Sequence, residues 1–182
     1  MPKREDYQLR SMAETDLEIV LNWRNSDHIR ANMYNDHIIT MGEHQAWFAR
    51  MKQREESVFQ IFEFRSRPVG LVNFTEIDQS SNKCVYGCYI GEDKVLPGLG
   101  AYMEFFALDY IFLEKAIRKV SCEVFTFNQH TIAMHKKFGF REEGYLSKHI
   151  LKNGAYNDIR VLAIFNEDWL SKKPQLEKIL FR

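Results

Sequence analysis

The chain has no surplus of charge: 25 lysines and arginines face 25 aspartates and glutamates. Nucleic-acid binding draws on excess cations that displace counterions. The balance therefore argues against nucleic acid as the main partner, while a local basic pocket for a phosphorylated small molecule stays open. Long apolar runs are also missing. None approaches the roughly 20 residues that cross a bilayer, so no membrane partner is expected. The opening residues, Met1 to Asp6, are polar and lack the apolar stretch of a signal peptide. Cysteine is scarce. Cys84, Cys88 and Cys122 are an odd number and suggest no disulfide framework. They read as reduced thiols of a cytoplasmic protein. On a strand, Cys84 and Cys88 would share a face but stand roughly 13 Å apart, too far for one zinc. No His-x3-His pair lies on a helix, and no Ser-His-Asp set stands out. No metal is expected.

What is present is a core and a regular order of elements. With 182 residues and 45% apolar content, the chain can bury about 70% of its unfolded surface, enough for a single domain over 1–182. Tyr7 to Met12 predicts a first strand. Glu14-Thr15-Asp16 offers N-caps for a helix through Trp23. Arg24 to Asp36 is polar, aromatic and irregular. Thr40 and Glu43 have capping-box spacing for a helix to Gln53. Val58 to Phe64 and Val69 to Ile77 predict a hairpin, and Lys83 to Ile90 a third strand of that group. A long helix from Leu99 to Leu113 follows. Then come a strand (Val120 to Phe127), a short helix (Thr131 to Phe138) closed by Gly139, two strands (Phe140 to Leu151, Ile159 to Phe165), and a weakly helical tail from Glu167. This order predicts an α+β (mixed α/β) fold.

The densest chemical signal runs from Lys83 to Phe140. Val95-Leu96-Pro97-Gly98-Leu99-Gly100-Ala101 separates a strand from a helix. Glycines let backbone approach a ligand, and free N–H groups at a helix start attract phosphate. A plain connection fits the same residues. Asn128 and His135 are about two helical turns apart and share a face. An imidazole there, with a reference pKa of about 6.5, could give or take a proton. A surface position beside Lys136 and Lys137 is the competing reading.

This run resembles the GCN5-related N-acetyltransferase (GNAT) family. The resemblance implies a central, mostly antiparallel seven-stranded sheet, splayed between strands 4 and 5 and flanked by about four helices. It also implies acetyl-CoA as co-substrate. Gly98 and Gly100 match the last two positions of the family's Arg/Gln-x-x-Gly-x-Gly/Ala motif, and Val95 replaces the first. The resemblance assigns Tyr89, Ile90, Val95, Gly98, Leu99, Gly100, Ala101, Asn128 and His135 to the coenzyme. The strands should part after Ile90, with amides near Tyr89 and Ile90 polarising the thioester carbonyl. His135 stands where the family often has a tyrosine general acid. Glu123 is a candidate general base, with a sheet-edge ion pair as its other reading.

The N-terminal third resembles one branch of the family, through Val20 to Asn25, Met33-Tyr34-Asn35 and Glu43 to Phe48. That branch acetylates an amino group on a nucleotide sugar of pseudaminic acid biosynthesis, the route to flagellin or surface-glycan decoration. It implies a UDP-amino sugar acceptor held by Arg24, Met33, Tyr34, His44, Thr75, Tyr89 and Lys148, and is compatible with a homodimer. Arg24 and Lys148 would neutralise the diphosphate. Trp23, Trp47 and Phe48 equally suit a core, and His44 a helix surface or a satisfied core site. Ribosomal-protein and aminoglycoside acetyltransferases share the Trp-Arg-Asn and His-x-x-Trp layout. A protein N-terminus or an antibiotic amine therefore stands as an alternative acceptor, and a non-catalytic acyl-CoA-binding module as an alternative role.

Overall fold

The computed structural model describes residues 3–181. A seven-stranded sheet runs in the order β1-β2-β3-β4-β5-β7-β6. The strands are β1 (Tyr7–Ser11), β2 (Val58–Phe64), β3 (Arg67–Asp78), β4 (Lys83–Ile90), β5 (Lys119–Phe125), β6 (Arg141–Lys152) and β7 (Ala155–Phe165). Among the described residues the α-helices are α1 (Leu17–Asn25), α2 (Asp27–Arg30), α3 (Met41–Met51), α4 (Leu99–Asp109), α5 (Gln129–Phe138) and α6 (Asn166–Leu180). No helix among them is long and apolar enough to cross a membrane.

Six helices stand where about four were expected. The extra ones come from segments whose sequence reads as irregular or weakly helical. α2 is a single turn inside the Arg24 to Asp36 stretch. α6 owes its order to tertiary packing: Trp169 is fully buried against Phe105, and its Nε1–H donates to Asp109 Oδ1 at 3.1 Å. Packing outweighs weak propensity here. The local signals hold elsewhere. Glu43 N–H donates to Thr40 Oγ1 at 3.3 Å, and Thr40 N–H to Glu43 Oε2 at 2.7 Å, which closes the expected capping box. Gly139 ends α5 at φ 110°, a left-handed conformation that suits glycine.

Every neighbouring pair in the sheet is antiparallel except β4 with β5. That parallel contact is short: Lys83↔Lys119, Cys84↔Val120 and Val85↔Ser121. Beyond it β4 stays bonded to β3 as far as Ile90↔Gly70, and β5 stays bonded to β7 as far as Phe125↔Ile159. The strands therefore part after Val85, not after Ile90 as the sequence suggests. Each strand follows its own antiparallel neighbour, and the inner edges of Tyr86 to Ile90 and Cys122 to Phe125 face a gap.

Strand alternation sorts side chains onto two faces. Cys84, Tyr86, Val120 and Cys122 join the main core with α4, α5 and α6. α4 is apolar nearly all round, as a central helix should be, apart from two carboxylates, Glu104 in its interior and Asp109 at its end. The opposite face carries a smaller core, in which Val20 and Trp23 of α1 pack on Ile61 and Leu71, with Tyr89 beside them.

Arg10 fastens α1 to the sheet. Its guanidinium donates to both oxygens of Asp16 (2.6 and 2.8 Å) and to Glu63 Oε1 (2.7 Å). Asp16 also accepts from Ala13 N–H at 2.8 Å. These bonds, Arg10 first, hold the Asp16 carboxyl below the usual carboxylate range. A depressed native pKa adds stability above the unfolded value of 3.8 and loses it as pH falls through the native value. Asp16→Asn should cost about 2 kcal/mol at pH 7, as expected for hydrogen bonds to a charged group. In urea titrations the difference from wild type should shrink below pH 3.8 and then close.

Candidate active site

The coenzyme end is built by the turn after β4. Gly98 caps α4 at φ 85°, a conformation that L side chains rarely adopt. Leu99 is buried and pins the turn, with Leu99 N–H donating to Leu96 C=O at 3.3 Å. Val95 and Ala101 pack against the main core. Val95 thus has an apolar task where the family motif has a polar one. The first turn of α4 carries no acidic residue, and N–H groups at a helix start lack intrahelical acceptors. These features suit a pyrophosphate. The inner edge of β4 at Tyr89 and Ile90 suits a pantetheine arm pairing like an added strand.

Asn128 caps α5, its Oδ1 accepting from Thr131 N–H at 3.3 Å, while its Nδ2 donates to Asn32 Oδ1 at 3.0 Å. The side chain expected at the pantetheine is thus engaged by the protein itself.

His135 is not a surface residue. It is buried in the helical face, beside Tyr86 and Phe140. Its Nδ1 lies 2.7 Å from Glu104 Oε1, and Tyr86 Oη–H donates to Glu104 Oε2 at 2.9 Å. The Cys122 thiol also lies close to the ring. Burial alone would lower the imidazole pKa. The Glu104 charge, with help from Cys122, outweighs it and holds His135 well above its ordinary 6.5. Sequence reading missed Glu104, although a lone carboxylate inside an apolar helix was the available signal. Burial pushes the Cys84 thiol up to about 12 and the Cys88 thiol higher, so both stay protonated.

The opposite face carries the other candidates. Arg24, in the last turn of α1, donates from Nη2 to Asn35 C=O. Its Nη1 is buried with no hydrogen-bond partner among the described residues. Burial lowers its pKa, and the Tyr89 phenol lies close enough to interact with its charge. Tyr34 is exposed, stacks edge-on against Phe125 and donates its hydroxyl to Glu123 Oε2. Thr75 shares this face but pairs with Val85, at the closed end of the gap.

Two expected acceptor residues lie elsewhere. His44 is buried, stacked on Trp47 and close to the backbone at Leu17, and its Nε2 has no hydrogen-bond partner among the described residues. Leu17 opens α1, about two helical turns from Arg24. Lys148 is exposed in a bulge of the edge strand β6, its N–H donating to Asp158 Oδ1 at 2.6 Å. The cation that does reach this face is Lys152, at the end of β6. It donates to Arg30 C=O and Met33 C=O (both 2.9 Å) and Asp36 Oδ2 (3.1 Å). Met33 therefore takes part through its backbone. Lys152 sits in a Lys-Asn-Gly turn that reads as solvent-facing, so sequence gave no sign of its burial.

The segment from Asp27 to Asp36 thus forms a strap beside the gap, tied down by Arg24, Lys152, Glu123 and Asn128. No cluster of His, Cys, Asp or Glu among the described residues is arranged to hold a metal ion.

Comparison with known proteins agrees with this geometry. Residues 9–161 match the acetyltransferase (GNAT) domain family. A prophage-derived uncharacterized N-acetyltransferase of Bacillus subtilis, YokL, is 30% identical over 85% of this chain and 86% of its own. Spermidine N(1)-acetyltransferase of Vibrio cholerae is 22% identical over 90% of this chain and 95% of its own. A crystal structure of the spermidine N-acetyltransferase from that organism, in complex with CoA and spermine, superposes with a TM-score of 0.86 at 21% identity. It covers 91% of this chain and 99% of that one, and supports the fold. These relatives carry no nucleotide-sugar names, so the narrower branch resemblance is not borne out by them. The chain belongs to the GNAT family and is an acetyl-CoA-dependent N-acetyltransferase.

Proposed function

We propose that the chain acetylates the amine of an anionic small molecule, of the kind presented by a UDP-linked 4-amino sugar. The observation that carries this reading is the buried, unpartnered Nη1 of Arg24 beside Tyr89. A desolvated guanidinium with an unused donor is costly unless an anion completes it. A diphosphate suits that need, whereas a polyamine would add like charge. The second reading, a polyamine acceptor, is favoured by relatives named spermidine N-acetyltransferases and by the accessible Glu123 carboxylate. A homodimer belongs to this reading as well. A dodecamer is described for the Vibrio cholerae enzyme.

The two faces divide the reaction. Acetyl-CoA lies along the gap, its pyrophosphate on the amides of Gly98 and Gly100 and its thioester between β4 and β5. The amine approaches from the Arg24 and Glu123 face and attacks the thioester carbonyl. Amides near Tyr89 and Ile90 hold the oxyanion. The C–N bond forms, the C–S bond breaks, and His135 protonates the departing sulfur from the helical face. Glu123 or water takes the amine proton. Most of the acceleration comes from holding two reactants in register.

A thiol-release assay with acetyl-CoA across UDP-amino sugars, spermidine and peptide amines tests the acceptor. Turnover is expected with the UDP-4-amino sugar, and Arg24→Ala should raise its KM by roughly thirtyfold. Turnover of spermidine alone, or an unchanged KM in the variant, would sink this acceptor. His135→Phe should lower kcat by about ten- to a hundredfold with little change in KM. An undiminished kcat would remove His135 from the reaction.

A further inference from the structure

Glu104 is an anomaly of the helical face. It has no solvent exposure, and its neighbours Met103 and Phe105 are buried core residues. A carboxylate in such a place is stable only when its oxygens are hydrogen-bonded and its charge is matched. Both conditions are met by two residues at the gap, through the His135 Nδ1 contact and the Tyr86 hydroxyl. An apolar residue would serve packing alone as well.

The placement of this trio is specific. Val85↔Ser121 is the last parallel pair. Tyr86 and Cys122 are the next residues on β4 and β5, so they flank the apex where the strands separate. His135 lies beside both, its ring centroid 5.9 Å from that of Tyr86 and its ring close to the Cys122 thiol. Nδ1 is engaged by Glu104 at 2.7 Å. The remaining ring nitrogen is Nε2, and the ring already meets one sulfur at the apex.

We propose that Glu104 is the positioning residue of this site: it orients the His135 ring through Nδ1 and, with Tyr86 fixing its other oxygen, keeps both ring nitrogens protonated. Nε2–H is then the donor to the coenzyme sulfur. This rests on the reading of His135 as the general acid. A neutral ring bonded to Glu104 through Nδ1–H would leave Nε2 as an acceptor, unable to give a proton. The buried charge of Glu104 favours the second proton. The groups facing the ring are Glu104 from α4, Tyr86 from β4 and Cys122 from β5. Cys88 stands behind them, beside Tyr86 and Glu104. On α5 itself Lys136 and Lys137 are exposed, and Lys136 pairs with Glu142.

Nitrogen-15 NMR of the His135 ring, run beside the pH dependence of kcat, tests the proposal in wild type and Glu104→Gln. Glutamine keeps the shape and removes the charge. In wild type the ring should stay doubly protonated well above the ordinary 6.5 of an imidazole. In Glu104→Gln it should lose its second proton near or below pH 6.5, and the alkaline limb of kcat should move down with it. The KM for acetyl-CoA should change by less than about threefold, since only a transition-state interaction is lost. A neutral His135 ring in wild type at pH 7 overturns the proposal, and this measurement needs no variant to fold. An unchanged ring titration in Glu104→Gln also overturns it. If the ring follows Glu104 while His135→Phe keeps full kcat, the pairing stands but the proton transfer is overturned. Failure of the acid reading is thereby distinct from failure of the Glu104 pairing.

Discussion

Three parallel residue pairs join the two halves of the sheet, and the candidate chemistry lies beyond the third. A parallel contact of this length leaves inner-edge backbone groups of β4 and β5 without strand partners. Such groups are costly when buried dry, so the gap favours an occupant that can hydrogen-bond like a strand. The pantetheine arm is one. The parting also fixes the division of labour, because alternation along each strand sends Tyr86 and Cys122 toward α4 and α5, and Tyr89 and Glu123 toward α1 and the strap. A ligand in the gap is reached from both faces at once. That is the geometry a transfer between two bound reactants requires.

The buried charges sort by whether their bonding is complete. Lys152 uses its three donors on Arg30, Met33 and Asp36, so nothing is left for a ligand and its role is to hold the strap. Glu104 has both oxygens occupied, yet one partner is a ring that can itself give a proton. Arg24 alone of these three has a buried donor without a partner among the described residues. Completed charges fix structure, and the incomplete Arg24 is the one the proposed function gives to an outside anion.

Local features of the fold were legible in the sequence. The capping box at Thr40 and Glu43, the helix end at Gly139, the hairpins and the central helix all rest on residues close together in the chain. What was not legible depends on distant partners. α6 forms because Trp169 finds a slot beside Phe105 and Asp109. The parting point moved from Ile90 to Val85 because register between β4 and β5 is set by their outer neighbours, β3 and β7. The candidate acceptor residues separate in space for the same reason. Arg24, Tyr34 and Tyr89 stand together on one face, but His44 turned out to pack against the start of α1. The lysine at the strap is Lys152 rather than Lys148. A β-bulge between Leu146 and Ile150 shifts register there, so spacing along β6 could not identify which lysine points inward.

The same distinction bears on the acceptor. Superposition at 21% identity supports the fold and does not by itself identify the acceptor. Beside the gap the strap is held by side-chain contacts: Arg24 to Asn35, Lys152 to Arg30 and Met33, Tyr34 to Glu123, Asn128 to Asn32. A polyamine site needs carboxylates free to meet several ammonium groups. On this face Asp36 is paired with Lys152, and Glu123 accepts the Tyr34 hydroxyl. In the reading proposed above, Glu123 receives the amine and Arg24 an anion on the same face. An acceptor with an amine at one end and phosphate at the other satisfies both groups together, which neither a polyamine nor a plain amine can do.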